Sequence, residues 1–360
     1  MRAAVFRRGD LVVDRIADPT PGPGQVLVKT LACGICGSDL HAFKHAHQLV
    51  DVARRAGGRF VMDLERDVVF GHEFCAEVLE HGPGCDKRLK PGTRVCSLPM
   101  SVSASGLHTI GYSNEVPGGF AENMLLAERL LLEVPNGLSA EHAALTEPMA
   151  VGWHAMQMAR LEAEDLPLVI GCGPVGLAVI AALKIKGVGP IIAADFSPAR
   201  RRLAEVMGAD IVVDPAQHSP YQKWTDVATP EGHQAGSVAA ILGQGPKLRP
   251  GVLFECVGVP GVMQQMLAGA PIGARIVVVG VCMEQDRFEP FFAIRKQLNL
   301  QFVLGYTPEE FAATLNHIAE GHIDVAPLVT AKVGLDDVKQ AFGDLANPER
   351  HAKILVEPWH

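Results

Sequence analysis

The chain has 360 residues, 48% of them hydrophobic and 20% charged, with a net charge of −8. That length exceeds one typical core and predicts two domains, while the acidic balance excludes a nucleic-acid binder that works through a basic stripe. No apolar run approaches the roughly 20 residues of a membrane helix.

The N-terminal Met1-Arg2-Ala3-Ala4-Val5-Phe6 leads straight into a strand pattern and lacks the apolar core of a signal peptide. Eight scattered cysteines then predict free thiols in a reducing cytoplasm. Residues 1 to about 30 read as short strands, with the turn Pro21-Gly22-Pro23-Gly24 ahead of Val26–Thr30.

The stretch Gly34-Ile35-Cys36-Gly37-Ser38-Asp39-Leu40-His41 gathers the richest chemistry. Cys36 offers a soft ligand for zinc. Ser38 is a hydroxyl two residues on, Asp39 a carboxylate able to orient a ligand, and His41 an imidazole able to pass a proton to solvent. A polar turn around a structural cysteine is the competing reading. Cys33 and Cys36 also form a Cys-x2-Cys pair, but no second pair matches it, so Cys33 reads as a small packed residue.

Residues 42–70 read as a long connection carrying Phe43, Leu49, Val50, Val52, Phe60, Val61, Met62 and Leu64, with His45 and His47 at the surface. In Gly71-His72-Glu73 an imidazole and a carboxylate stand side by side. Neighbours on a strand face opposite ways, so only a kink would bring both to one metal. Residues 97–119 read as a loop. With Cys96 and His108 it lacks the four ligands of a structural zinc, and none is expected. Gly118–Glu122 resumes a strand.

Ser139 caps a helix that Thr146-Glu147-Pro148 interrupts. Glu147 lies among Ala144, Leu145, Met149 and Val151, and a half-buried carboxylate needs a partner: a metal, a helix terminus or an arginine.

A second domain is expected from about residue 150. The apolar strand Pro167–Ile170 enters Gly171-Cys172-Gly173-Pro174-Val175-Gly176, and an apolar helix follows. A second strand ends in Asp195, 24 positions after Gly171, which is the context a dinucleotide fingerprint needs. The glycines admit a pyrophosphate to the helix N-terminus. Asp195 would hold the ribose hydroxyls and repel a 2′-phosphate, favouring NAD, whereas Arg200 is placed to accept that phosphate. The triplet Arg200-Arg201-Arg202 otherwise reads as a solvated helix face. Strands ending before Val257-Gly258 and Gly280 alternate with helices, as in a doubly wound parallel sheet.

Taken together, Gly34–Asp39, Gly71-His72-Glu73, Glu147-Pro148 and Gly171-x-Gly173-x-x-Gly176 resemble the zinc-dependent medium-chain dehydrogenase/reductase family, above all its sorbitol and threonine dehydrogenase branch. The resemblance covers essentially the whole chain. It implies an α/β chain with a GroES-like β-barrel catalytic domain (1–149 and 296–360), a Rossmann NAD-binding domain (150–295), and an active site in the cleft. By position it implies zinc ligands Cys36 and His72, with Glu73 and Glu147 competing for the remaining place. It also implies a proton relay from Ser38 to His41, with Asp39 behind the histidine ligand.

The same likeness makes Gly171, Gly173 and Gly176 the pyrophosphate turn, and Pro174, Val175, Asp195, Arg200, Val257, Gly258 and Gly280 are expected beside them as further cofactor contacts. The cofactors are then one catalytic Zn2+ and NAD(H), and the chain is a homodimer or homotetramer. The reaction implied is reversible oxidation of a secondary alcohol. The apolar connection, Phe120 and Trp153 favour a hydrophobic or cyclic substrate over a polyol. Two departures stand out: no four-cysteine lobe, and a Cys36–His72 interval of 36 positions, longer than usual. A zinc-free quinone or enoyl reductase would lack the Cys, His and Glu set, and a non-catalytic dinucleotide binder would have no use for a relay.

Overall fold

In the computed structural model, which describes residues 1–57, 62–103, 106–231 and 248–360, the chain divides into two units. The first comprises Met1–Pro148 and Thr307–His360, the second Met149–Tyr306.

The first unit opens on the antiparallel pair β1 (Arg2–Arg7) and β2 (Asp10–Arg15). β3 (Gln25–Gly34) follows the Pro-Gly turn and is its spine. Val26, Val28 and Ala32, at even positions along the strand, are wholly buried, as a two-residue period requires. β4 (Val68–Val69) pairs with β1, while β5 (Glu73–His81) lines one edge of β3. Beyond β5 lie β6 (Arg94–Ser97) and, past β7 (Met100–Ser103), β8 (Gly106–Thr109) and β9 (Asn123–Ala127), the strand β10 (Leu131–Glu133). The other edge of β3 is shared: β9 takes Gln25–Lys29, and the last strand of the chain takes Cys33 and Gly34.

Three sequence expectations give way here. The 42–70 connection is helical in its first half: α1 (Gly37–Lys44) and α2 (Ala46–Arg55) bury Ala42, Ala46 and Val50 in the core, with Phe43, Leu49 and Leu64 packed alongside. Phe60 and Val61 lie outside the described residues. The 97–119 loop contains the β7–β8 hairpin, whose first strand, half of it serine, hides its alternation. Phe120 is not a pocket wall. It is fully buried and meets Phe342 edge-on at 6.0 Å, in a ring cluster where Phe6 also stacks on Phe70 at 5.1 Å. Ser139 does cap α3 (Ala140–Ala144), accepting from His142 N–H, and α4 (Thr146–Met158) begins where the interruption was read.

The second unit is a six-stranded sheet, all parallel. Its strands are β11 (Leu166–Ile170), β12 (Ile192–Ala194), β13 (Ile211–Val213), β14 (Gly251–Glu255), β15 (Arg275–Val278) and β16 (Asn299–Phe302). Their order is β13-β12-β11-β14-β15-β16, the doubly wound arrangement of a dinucleotide domain. Helices α5 (Pro174–Lys186), α6 (Pro198–Met207), α7 (Pro220–Ala228), α8 (Val262–Gly269) and α9 (Pro290–Lys296) lie between the strands.

The sequence reading ended this domain at residue 295, but β16 pairs in parallel with β15 and the return falls at Thr307. From there α10 (Pro308–Ala319), β17 (Val329–Val333), α11 (Val338–Asp344) and β18 (Lys353–Val356) complete the first unit.

Candidate functional site

β3 ends at Gly34, β5 begins at Glu73, and the two residues face each other across the ladder. A Cβ on Gly34 would lie 2.1 Å from Glu73 Oε2. Glycine is therefore what lets the Glu73 carboxylate lean over β3. It leans onto Lys353, the first residue of β18, whose Nζ donates to both carboxylate oxygens at 2.8 and 2.7 Å and to Ile35 O at 3.1 Å. Both side chains are buried, at 0% and 3% exposure. Burial, the largest single influence, lowers the Lys353 pKa, but the Glu73 charge and hydrogen bond, with Cys36 and Glu147 adding to them, together leave the net shift upward.

Cys36 Sγ, a His72 ring nitrogen and a Glu73 oxygen all lie within 4.8 Å of one another. The kink that brings His72 and Glu73 to one point is at Gly71, with φ of +98°. A Cβ there would meet Cys33 Sγ and the Phe120 ring at 2.8 Å. Cys36 precedes α1, and its N–H donates to the Asp39 carboxylate at 3.0 Å, a capping interaction that fixes the turn. β3 thus runs almost directly into α1, a strand–helix junction the sequence reading did not see. Cys33, packed with no exposure behind it, and Cys36 are both free thiols.

His72 Nδ1 lies 3.3 Å from Asp39 Oδ1 but off-line, so this buried nitrogen has no hydrogen bond, and Nε2 is 3.4 Å from Ser38 Oγ. Tyr112, absent from the sequence expectations because it fell in the supposed loop, donates to Ser38 Oγ at 2.9 Å and lies 3.3 Å from Asp39 Oδ1. Burial, then the Asp39 charge, pushes its phenol well up. Burial pushes the Cys36 thiol up, with Glu73 adding to it. For His72, burial acts downward, yet Asp39 and Cys36 leave it well above the usual imidazole range.

A thiol, an imidazole and a carboxylate converging in a buried site form a donor set that fits zinc, and a bound cation would reverse the shift on the thiol. Glu147 is not in that trio. It stands half-buried in the first turn of α4 and contributes to the field on Lys353. His41 lies one helical turn beyond Ser38 on α1, half-buried.

In the second unit, β11 leads into Gly171 at φ of +92°. A Cβ on Gly176 would come within 1.9 Å of Gly171 O, so α5 packs against the turn only with glycine there. Gly173 is the N-cap of α5 and offers no side-chain cap, while Pro174 and Val175, half-exposed, open the helix. Its first free N–H groups suit a pyrophosphate. Asp195 accepts from Cys172 N–H and Ser197 N–H, both at 2.8 Å.

Arg200 Nη1 is 4.0 Å from Asp195, and its buried Nε has no hydrogen-bond partner. Arg201 donates to Asp195 O and Phe196 O and pairs with Asp214. Of the arginine triplet, Arg201 is tied down, Arg200 is half-buried beside Asp195, and Arg202 is exposed. The Val257 and Gly258 N–H groups donate to Glu255 Oε1 at 2.8 Å, and a Cβ on Gly280 would lie 2.4 Å from Gly258 N. Glycines thus let the strand ends approach one another at the carboxyl edge of the sheet.

Barrel, parallel sheet and donor set together define a zinc-containing, nicotinamide-dependent dehydrogenase, and family models agree. The alcohol dehydrogenase GroES-like domain matches residues 22–136 and the zinc-binding dehydrogenase domain residues 174–320. The chain belongs to the zinc-dependent medium-chain dehydrogenase/reductase family.

It is 34% identical to (R,R)-butanediol dehydrogenase of Bacillus subtilis (strain 168) over 99% of this chain and 100% of that one. A solved structure of 2R,3R-butanediol dehydrogenase from Bacillus subtilis shares 32% identity with a TM-score of 0.77, covering 99% of each chain. Sorbitol dehydrogenase of Bos taurus is 28% identical over 93% of this chain and 89% of that one. A zinc-binding dehydrogenase from Sinorhizobium meliloti 1021, solved bound to NADP, shares 27% identity with a TM-score of 0.79, again covering 99% of each chain.

Replacing Lys353 by Met should strand the Glu73 carboxylate in the core and cost about 3–5 kcal/mol, read as a lower urea midpoint. The Lys353→Met/Glu73→Gln double variant should recover part of that loss. Equal midpoints for Lys353→Met and the parent would remove the pair from the account of the fold.

Proposed function

We propose that the chain is an NAD-linked zinc alcohol dehydrogenase that reversibly oxidises a secondary alcohol to a ketone. The observation that carries this reading is the convergence of Cys36, His72 and Glu73 beside the Tyr112–Ser38 hydroxyl pair. The names of the relatives favour a small alcohol with neighbouring hydroxyls, a vicinal diol first and a sugar polyol second. The hydrophobic or cyclic substrate loses part of its support, because Phe120, Val50 and Met62 belong to the core, while Trp153 is half-buried outside it.

Cys36, His72 and Glu73 would hold the metal, with Glu147 as the competing carboxylate. Bound zinc supplies a Lewis acid that lowers the alcohol's pKa, and a bound nicotinamide supplies the hydride acceptor. Tyr112 keeps its proton, because burial and Asp39 disfavour the phenolate. It therefore remains a donor to Ser38 Oγ. Ser38 then takes the alcohol proton on its remaining lone pair and releases its own towards His41 and solvent. Asp39 steadies His72 from the Nδ1 side.

In the second unit, the α5 N-terminus would bind the pyrophosphate, with Gly171, Gly173 and Gly176 giving it room. Asp195 would take the ribose hydroxyls and repel a 2′-phosphate, against the pull of Arg200 close by. Val257, Gly258 and Gly280 would border the cofactor at the strand ends.

A homo-oligomer also belongs to this reading. β16 is an edge strand, and Phe302 and the following Leu304 are 64% and 85% exposed, an apolar edge that invites pairing with a second copy. A cytoplasmic location fits eight free thiols. Among the described residues, no helix is long and apolar enough to cross a membrane.

Cys36→Ala should abolish turnover while leaving NADH binding intact, and surviving activity would remove zinc from the reaction. Asp195→Ser should narrow the NAD-over-NADP ratio in kcat/KM by about tenfold or more, since like charges in contact cost several kcal/mol and about 1.4 kcal/mol is tenfold. An unchanged ratio would take cofactor choice away from Asp195. Leu304→Asp should shift the protein to a smaller species in analytical ultracentrifugation, and an unchanged sedimentation profile would exclude that edge as the interface.

A further inference from the structure

β5 carries the Glu73 site at its start. Its end, His81, meets two other potential ligands. Cys85 sits in the turn that follows, and Glu128 begins the short helical turn after β9. A His81 ring nitrogen, Cys85 Sγ and a Glu128 oxygen lie within 4.8 Å of one another.

The tautomer follows from the surroundings. His81 Nε2 lies 2.6 Å from Leu89 O, and a carbonyl only accepts, so Nε2 carries the proton and Nδ1 of the neutral ring presents a lone pair. That Nδ1 is buried, has no hydrogen-bond partner, and lies 3.4 Å from Glu128 Oε1, on a side chain only 6% exposed.

A lone pair facing a carboxylate, with a thiol beside both, is a place that a cation would fill, either a proton on Nδ1 or a metal ion shared by all three. The surroundings are those of a ligand set. A backbone carbonyl behind the imidazole is the usual way a metal-bound histidine is oriented. The Glu128 carboxylate is held by Asp86 N–H and Lys87 N–H at 2.7 and 2.8 Å. Cys85 has its S–H on Gln25 O at 3.3 Å. One thiolate and one carboxylate would balance a divalent ion.

We propose that His81, Cys85 and Glu128 form a second metal site that takes a zinc-class divalent ion, with solvent in the fourth position. A metal there clamps the end of β5 and the turn that follows it to the short helical turn after β9, and Cys85 gives up its S–H bond to Gln25 O on binding as the thiolate. It uses none of the residues of the Cys36 set, so it is tested independently of the catalytic reading.

The full chain is purified without chelator, dialysed against zinc alone and analysed for metal. Cys85→Ala and His81→Gln should each lower the zinc content by about one equivalent per chain, in the parent and in a Cys36→Ala background alike. Turnover of Cys85→Ala should persist, showing that the loss is not unfolding. Cobalt bound to Cys36→Ala should show a thiolate charge-transfer band that vanishes in Cys36→Ala/Cys85→Ala. Unchanged zinc content in both the Cys85 and His81 variants, or a cobalt band that survives loss of Cys85, would overturn the site.

Discussion

The buried ion pair between Glu73 and Lys353 is the constraint on which the first unit turns. Its partners are 280 positions apart, so it forms only when the last strand of the chain has come to lie beside β3. A buried charge without a partner is far more costly than one with it. β18 is therefore joined to β3 not only by backbone pairing but by a charge requirement. Gly34 is its steric condition, since any side chain there would occupy the carboxylate's path. The glycine that opens the Cys36 motif thus serves the fold and the metal set together. A well-packed apolar pair could supply similar stability, so what the ions add is placement: Glu73 is held where Cys36 and His72 also arrive.

Local chemistry was legible in the sequence wherever the spacing was short. Cys36, Ser38, Asp39 and His41 fall within a helical turn or so, and their order already suggests ligand, hydroxyl, orienting carboxylate and outer imidazole. The glycine turn at 171–176 was legible because strand, glycines and helix follow one another along the chain. Lys353 was not, because nothing in Lys353-Ile354-Leu355-Val356 says that the lysine points into the core rather than out of a strand end. Tyr112 was missed for a related reason: the short serine-rich hairpin before it looks like a loop. α2 was hidden because its buried residues, Ala46 and Val50, are few and one is small. The domain return was misplaced because β16, Asn299–Phe302, is an edge strand with little buried surface, and its apolar pattern is weak.

The hydroxyl arrangement limits what the first site can do. Tyr112 has one proton and two acceptors in reach, Ser38 Oγ and Asp39 Oδ1. The shorter contact to Ser38 points the phenolic proton there, and Ser38 is left with its own proton to give away. A buried phenol beside a carboxylate does not ionise near neutrality, so it sets the direction of the chain rather than joining it. A site built only to hold a metal would not need this asymmetry, which is why the donor trio reads as catalytic rather than structural.

On the proposed reading, Asp195 would carry a double duty that links fold and cofactor choice. Its two oxygens already accept from Cys172 N–H and Ser197 N–H, bonds that join the glycine turn to the start of α6. Those bonds fix the carboxylate beside the glycine turn, where its negative charge would turn away a 2′-phosphate. Arg200 approaches that same charge only at 4.0 Å, too loosely to neutralise it. On the proposed reading, discrimination against the phosphate would come from a residue that cannot be exchanged without loosening the turn. Selectivity and rigidity at this turn should fall together when Asp195 is replaced, whereas a change at Arg200 should alter the first more than the second.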